Sequence, residues 1–166
     1  MPPDPTRPHF PPGYLPEPPT EFVPWEEVTR RLSEARNYWL ATVRPNGRPH
    51  TVPVWGVWLD EALYYDGSPQ TRHARNLAAN PNIAVHLESG DEVLVVEGTA
   101  AMLDRPPVGM GERLAAEYRR KYAAEGYAPD PAQWDAGGLY EVRPRQILTW
   151  TVFNVDPTRY RFESQG

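Results

Sequence analysis

The run from Arg48 to Asn80, R-P-H-T-V-P-V-W-G-V-W-L-D-E-A-L-Y-Y-D-G-S-P-Q-T-R-H-A-R-N-L-A-A-N, constrains the fold more than any other part of the chain. Val52, Val54, Trp55, Val57, Trp58, Leu59, Leu63, Tyr64 and Tyr65 suit a pleated, half-buried surface, so the run predicts two consecutive strands turned by Asp60-Glu61. Gly67-Ser68-Pro69 breaks the second strand. Thr71 then opens a helical pattern with Ala74, Leu77 and Ala78 on one face. A helix start offers unpaired backbone N–H groups and a positive dipole end, both suited to an anion. Thr71, Arg72 and His73 lie in the first turn, followed by Arg75 and Asn76, and together they read as a phosphate seat. The competing reading is a capped surface helix with solvated arginines.

The remaining chain predicts a mainly β (α+β) domain. Ten prolines between Met1 and Pro24 predict an extended segment over residues 1–23, either an arm on the body or a loose tail, with Phe10, Tyr14, Phe22 and Val23 available to bury. Residues 24–166 then form the main domain. An amphipathic helix from Pro24 carries Val28, Leu32 and Ala35 on one face. Tyr38 to Arg44 is a strand, and Pro45-Asn46-Gly47-Arg48 is a hairpin connection. Pro53 cannot donate to a ladder and therefore marks a sheet edge or a bulge. Ile83 to Glu88 and Glu92 to Leu103 continue the sheet, the second expected to be buried on both faces, with a bend at Gly98. A helix bears Leu114, Ala115, Tyr118, Tyr122 and Ala123 and ends at Gly126. Trp134 anchors the loop that follows. Leu139 to Val142 and Gln146 to Val155 return as strands around Pro144, and Thr158 to Phe162 closes the chain. Short strands separated by turn signals indicate a six- to seven-stranded antiparallel barrel with flanking helices.

Composition narrows the function. With no cysteine, thiolate catalysis, disulfides and cysteine-ligated metals are excluded. A net charge of −5 argues against nucleic acid. No apolar run approaches a membrane span and no signal-peptide pattern opens the chain, so a cytoplasmic protein is expected. His9, His50, His73 and His86 lack metal-ligand spacing, and Ser33, Ser68, Ser89 and Ser164 lack a nucleophile elbow. No acid–base pair stands out, and no catalytic residue is assigned. Chemistry carried by a bound cofactor fits such a chain better.

The segments L-A-T-V-R-P-N-G-R-P-H-T-V-P-V-W and L-Y-Y-D-G-S-P-Q-T-R-H-A-R-N-L-A-A-N-P-N-I-A-V-H-L-E resemble the pyridoxamine 5'-phosphate oxidase-like split β-barrel proteins. Within these the chain is most similar to the flavin/deazaflavin oxidoreductases, over about Trp25 to Phe162. The resemblance implies a homodimer holding FMN or the deazaflavin coenzyme F-420 in a groove between subunits, acting on a small unsaturated substrate. It places the phosphate on Thr71, Arg72, His73 and Asn76. It sets the ring beside the strand His50, Thr51, Val52, Pro53, Val54 and Trp55, with Tyr65, Gly67 and Ser68 adjacent. The chain departs from the family in having His73 where a lysine is frequent, and Thr71 where another basic residue is. A non-catalytic cofactor carrier and a tetrapyrrole (haem or biliverdin) binding protein are the rival expectations.

Overall fold

The computed structural model describes residues 2–163. Its strands are β1 (Pro5–Thr6), β2 (Tyr38–Val43), β3 (Pro49–Val54), β4 (Val57–Leu59), β5 (Ala62–Asp66), β6 (Asn82–His86), β7 (Val93–Leu103), β8 (Leu139–Trp150) and β9 (Thr158–Arg161). Three α-helices accompany them: α1 (Trp25–Glu34), α2 (Arg72–Ala79) and α3 (Met110–Tyr122). Every strand pairing is antiparallel. Hydrogen bonding runs in the order β1-β9-β8-β7-β6-β2-β3, and β5 joins both β4 and β8. Because β3 leads into β4 through Trp55 and Gly56, the path β2-β3/β4-β5-β8-β7-β6 closes on itself. This is a split barrel of six runs, one of them bent, with β1 and β9 extending one side.

The split lies along β8. Its first half, Leu139 to Val142, pairs with β5, and its second half, Gln146 to Thr149, pairs with β9. The two strands expected around Pro144 are therefore one, continuous through the proline. A local fault absorbs the proline: the β7–β8 register shifts between Glu97 and Gly98, and Gly98 faces Pro144. A Cβ on Gly98 would lie 2.0 Å from the Arg143 carbonyl oxygen, so only glycine permits the approach.

The run from Arg48 to Asp66 holds three strands where two were expected, and Trp55 falls in the bend between β3 and β4. Gly56 makes this corner: an added Cβ would sit 2.9 Å from the Tyr64 carbonyl. The hydroxyl of Tyr122 clamps the bend from α3, accepting from the Gly56 N–H at 3.1 Å. Lys121 donates to the Gly56 carbonyl at 2.7 Å and to the Tyr38 hydroxyl at 2.8 Å, and burial pulls its amine down to about 7. Beyond the bend, the β4–β5 turn puts both Asp60 and Glu61 at positive φ, 50° and 59°, and Arg113 of α3 holds it through a two-pronged pair with Asp60.

The interior is filled by inward rows such as Leu40, Val85, Leu94, Val96, Ile147 and Tyr160. α3 buries Leu114, Ala115, Tyr118 and Tyr122 in a second cluster with Trp134, whereas Ala123 is exposed. In β7 burial alternates instead of covering both faces, leaving Val93 and Val95 half-buried on the outer side. α1 buries Val28 and Leu32 and also Arg31, whose guanidinium donates to Thr149 Oγ1 and the Glu92 carbonyl. Sequence periodicity had left that arginine among the polar positions.

The proline-rich segment is an arm on the body of its own chain. β1 pairs with β9, and Arg7 donates to the carbonyls of Pro157, Pro19 and Glu21 while its guanidinium lies 3.8 Å from the Phe22 ring centre. Val23 is buried, but Phe22 and Tyr14 stay exposed, Tyr14 stacking with Phe10 near Phe153.

Candidate functional site

The helix expected to open at Thr71 forms, with eight residues. Thr71 caps it, its Oγ1 accepting from the Ala74 N–H at 3.4 Å and donating to the Ser68 carbonyl at 2.9 Å. That oxygen also lies 3.2 Å from His73 Nε2, within hydrogen-bond reach. His73 is turned inward and only 8 % exposed. Burial lowers its pKa and the neighbouring His50 lowers it further, so the ring is neutral at physiological pH.

Asn76 also faces inward, fully buried. Its Nδ2 donates to Thr42 Oγ1 at 2.9 Å, and its Oδ1 has no partner. Thr42 lies opposite His50 in the β2–β3 register. A polar nest therefore fills this end of the barrel beneath α2: Thr42, His50, His73 and Asn76, beside Tyr65 and Tyr140. These tyrosines stack 5.0 Å apart, and the Tyr65 hydroxyl is buried without a partner. Desolvation raises Tyr65 far above the ordinary phenol value, so it keeps its proton. Ala74 and Leu77 bury with this face, while Ala78, expected there, is exposed.

The outer side of α2 carries Arg72 and Arg75, with Thr71 half-exposed at the cap. The β2–β3 hairpin adds Arg44, expected as a strand end, and Arg48, expected as part of the turn. The positive charges of Arg75, Arg44 and Arg48 lower the pKa of Arg72. None of these four arginines forms an ion pair among the described residues. The period of two along β2 and β3 was the available signal: Arg44 shares a face with Thr42, and Arg48 with His50.

The strand assigned to the ring divides by face. His50, Val52 and Val54 point inward, and Thr51 and Pro53 outward. β3 ends the hydrogen-bonded order, so Pro53 sits on an edge with no bulge in its pairing to β2. Every second residue of β3 turns its backbone polar groups away from β2. Trp55 belongs elsewhere, stacked on Tyr122 at 4.7 Å and 11°. Gly67 donates its N–H to the Gly138 carbonyl at 3.0 Å, and Ser68 Oγ accepts from the Gln70 N–H at 3.2 Å, shaping the loop into α2.

Outside the barrel, Thr51, Ala41 and Ala84 form a cross-strand row of small residues. The next row is Pro53, Trp39, His86, Val95 and Leu148, in which Trp39 and His86 stack with planes 2° apart. A floor of small, aromatic and apolar residues thus adjoins the open β3 edge, half-buried except at the exposed Thr51 and Pro53. Two cavities of about 810 and 440 Å³ lie elsewhere, one between the β4–β5 turn and β9, the other beside the start of α3. Among the described residues no group of three or more histidine and carboxylate side chains is arranged to hold a metal, and no helix is long and apolar enough to cross a membrane.

An antiparallel split barrel with a capped helix start beside an open edge strand defines a recognisable class. Residues 24–151 match the family model described as pyridoxamine 5'-phosphate oxidase, and the chain belongs to this family. It is 28 % identical to a pyridoxine/pyridoxamine 5'-phosphate oxidase of Burkholderia ambifaria over 165 residues, 81 % of this chain and 76 % of that protein. Among solved structures, an F420 reductase is 27 % identical with a TM-score of 0.53, the match covering 71 % of this chain and 94 % of the reductase. A heme storage protein from Vibrio cholerae shares the fold at 22 % identity and a TM-score of 0.57, over 78 % of this chain and 97 % of that one.

Proposed function

We propose that the protein is a homodimeric oxidoreductase that binds FMN or coenzyme F-420 between its subunits and passes a hydride to a small unsaturated substrate. The observation that carries this is the start of α2, where first-turn N–H groups and the guanidinium groups of Arg72 and Arg75, in no ion pair among the described residues, share one end of the helix. That set fits a phosphate. Hydride transfer is the chemistry the ring supplies when bound. The chain's part is to bind, orient and keep water away. Arg72 and the first-turn N–H groups hold the phosphate. The edge of β3 offers backbone donors and acceptors, and Thr51, Ala41 and Trp39 a flat floor. A second subunit would cover that floor, which one chain leaves half-buried. The family likeness and the F420 reductase neighbour support this reading.

Its test is titration of the protein with FMN and F-420, followed by turnover of the reduced cofactor. Arg72→Ala should weaken binding roughly 10- to 100-fold by removing a charge-assisted contact. Unchanged affinity for both ligands in that variant would overturn the assignment. Binding without turnover would make the protein a carrier.

One observation favours a second reading. His86 Nδ1 lies 2.8 Å from the Leu87 carbonyl and donates to it, which leaves Nε2 as a free acceptor on the outer floor. This is the arrangement of a metal-ligating histidine, and haem-binding structures share the fold. Added hemin should then give a Soret band that His86→Ala loses.

A further inference from the structure

Lys121 is the only lysine among the 17 lysine and arginine residues of the chain, so it carries the one side-chain amine. It lies in the last turn of α3, half-buried against the corner between β3 and β4. Its Nζ donates to the Gly56 carbonyl at 2.7 Å and to the Tyr38 hydroxyl oxygen at 2.8 Å. Tyr38 donates its own proton to the Leu32 carbonyl, so toward the amine it acts only as an acceptor. Tyr122, the other hydroxyl at the corner, faces the Arg36 and Gly56 carbonyls at 2.8 and 3.0 Å.

The corner therefore offers Nζ two acceptors. A neutral amine has two protons to donate and an ammonium three. No carboxylate lies within ion-pair distance of Nζ among the described residues. The charged groups around it are matched with one another: Arg120 with Glu117 on α3, and Arg36, just before β2, with Glu125. In place of a carboxylate, an ammonium has only the ring faces of Tyr38 and Tyr122, 4.7 and 5.2 Å away. Burial first and Arg120 second bring the amine down to about 7, so much of it is uncharged at neutral pH. Both protons are then held by the corner, and the nitrogen lone pair is left free.

We propose that Lys121 is a site of covalent acylation, reacting as a neutral amine with small acyl phosphates. The residue keeps contact with solvent, and neither cavity of the chain includes it, so the reagent must be small. The Arg120 guanidinium beside it suits a reagent whose leaving group is anionic. In the step, Nζ bonds to the acyl carbon while the bond from that carbon to the phosphate oxygen breaks. Phosphate leaves with the electron pair, and the proton lost from nitrogen passes to water. The product is a neutral amide with a single N–H, which can serve only one of the two acceptors. Acylation thus loosens the hold of α3 on the β3–β4 corner.

The experiment is incubation of the full-length protein with acetyl phosphate, read by intact mass and by peptide mass mapping. An ordinary lysine, with a pKa of about 10.4, is almost wholly charged at pH 7. Lys121 should therefore be acetylated at least about tenfold faster in the folded protein than in the chain unfolded by guanidinium chloride. The folded rate should level off between about pH 7 and 8, while the unfolded rate climbs on toward pH 10. Lys121→Arg should remove one acetyl adduct from the intact mass and leave that of the α-amine. A folded rate equal to or below the unfolded one, a folded rate that keeps rising to pH 10, or an adduct count unchanged in Lys121→Arg overturns the proposal.

Discussion

At the head of α2, three side chains of similar polarity receive different roles from burial alone. Arg72 stays outside, His73 turns inward against Tyr65 and Thr71, and Asn76 disappears beneath the helix. A histidine at this place had been expected to meet the phosphate, but its inward ring is held neutral by desolvation first and by His50 second. The sign of the pH effect follows. An unfolded imidazole titrates near 6.5, and the buried one takes its proton only at lower pH. As pH falls below about 6.5 the unfolded chain binds more protons than the folded one, so stability declines. Thermal melts between pH 8 and 5 should show the melting temperature dropping below that point, and His73→Asn should flatten the drop. An identical slope in the variant would place the titration elsewhere. His73→Asn should leave the pH dependence of ligand affinity unchanged as a companion expectation, because a neutral His73 offers no charge to an anion.

Among the elements, β7 and β8 carry the split and depend on one glycine. The period of two in β7 and the turn signal at Gly98 were legible in the chain. The continuity of β8 through Pro144 was not, because a proline normally interrupts a ladder. It is tolerated here since the opposing strand shifts register at Glu97/Gly98 and brings its backbone close. Gly98→Ala sets a methyl group 2.0 Å from the Arg143 carbonyl oxygen. The expected cost is about 3 kcal/mol, the upper end of overpacking losses, read as a fall in the denaturant midpoint. A shift below about 0.5 kcal/mol would mean that β7 and β8 separate easily. The corner between β3 and β4 was missed for a related reason. Trp55 and Val57 suit a strand on either side of Gly56, and the corner that the glycine permits is held by Tyr122 and Lys121 reaching in from α3.

Taken whole, the molecule has more apolar sheet than one interior needs. Trp39, Val93, Val95, Leu148 and Trp150 are half-buried on the outer side, in register across β2, β7 and β8 with His86 of β6 between. A two-fold partner would cover that face. Sedimentation should therefore give twice the chain mass of 18.9 kDa, with or without cofactor. Trp39→Glu should shift it to a monomer and weaken cofactor binding together. A monomer that binds cofactor tightly would contradict the shared groove. Deleting residues 2–20 tests a separate point. The arm lies on its own chain through β1–β9 and Arg7, so its loss should lower stability and leave the barrel folded.

Short-range chemistry is what the sequence determined by itself. Alternating strands, the Asn46-Gly47 hairpin, the Thr71 cap, the edge proline and the family pattern around Arg72 all depend on residues close in the chain. Neighbours alone specify turn geometry, capping and period. Tertiary structure decided the rest: that His73 and Asn76 face inward, that Trp55 serves α3 and leaves the β3 floor, that Arg31 is buried, and that the hairpin arginines meet those of α2. Each of these depends on contacts between segments far apart in sequence, where packing and desolvation set a side chain's role and local propensity carries no information about it.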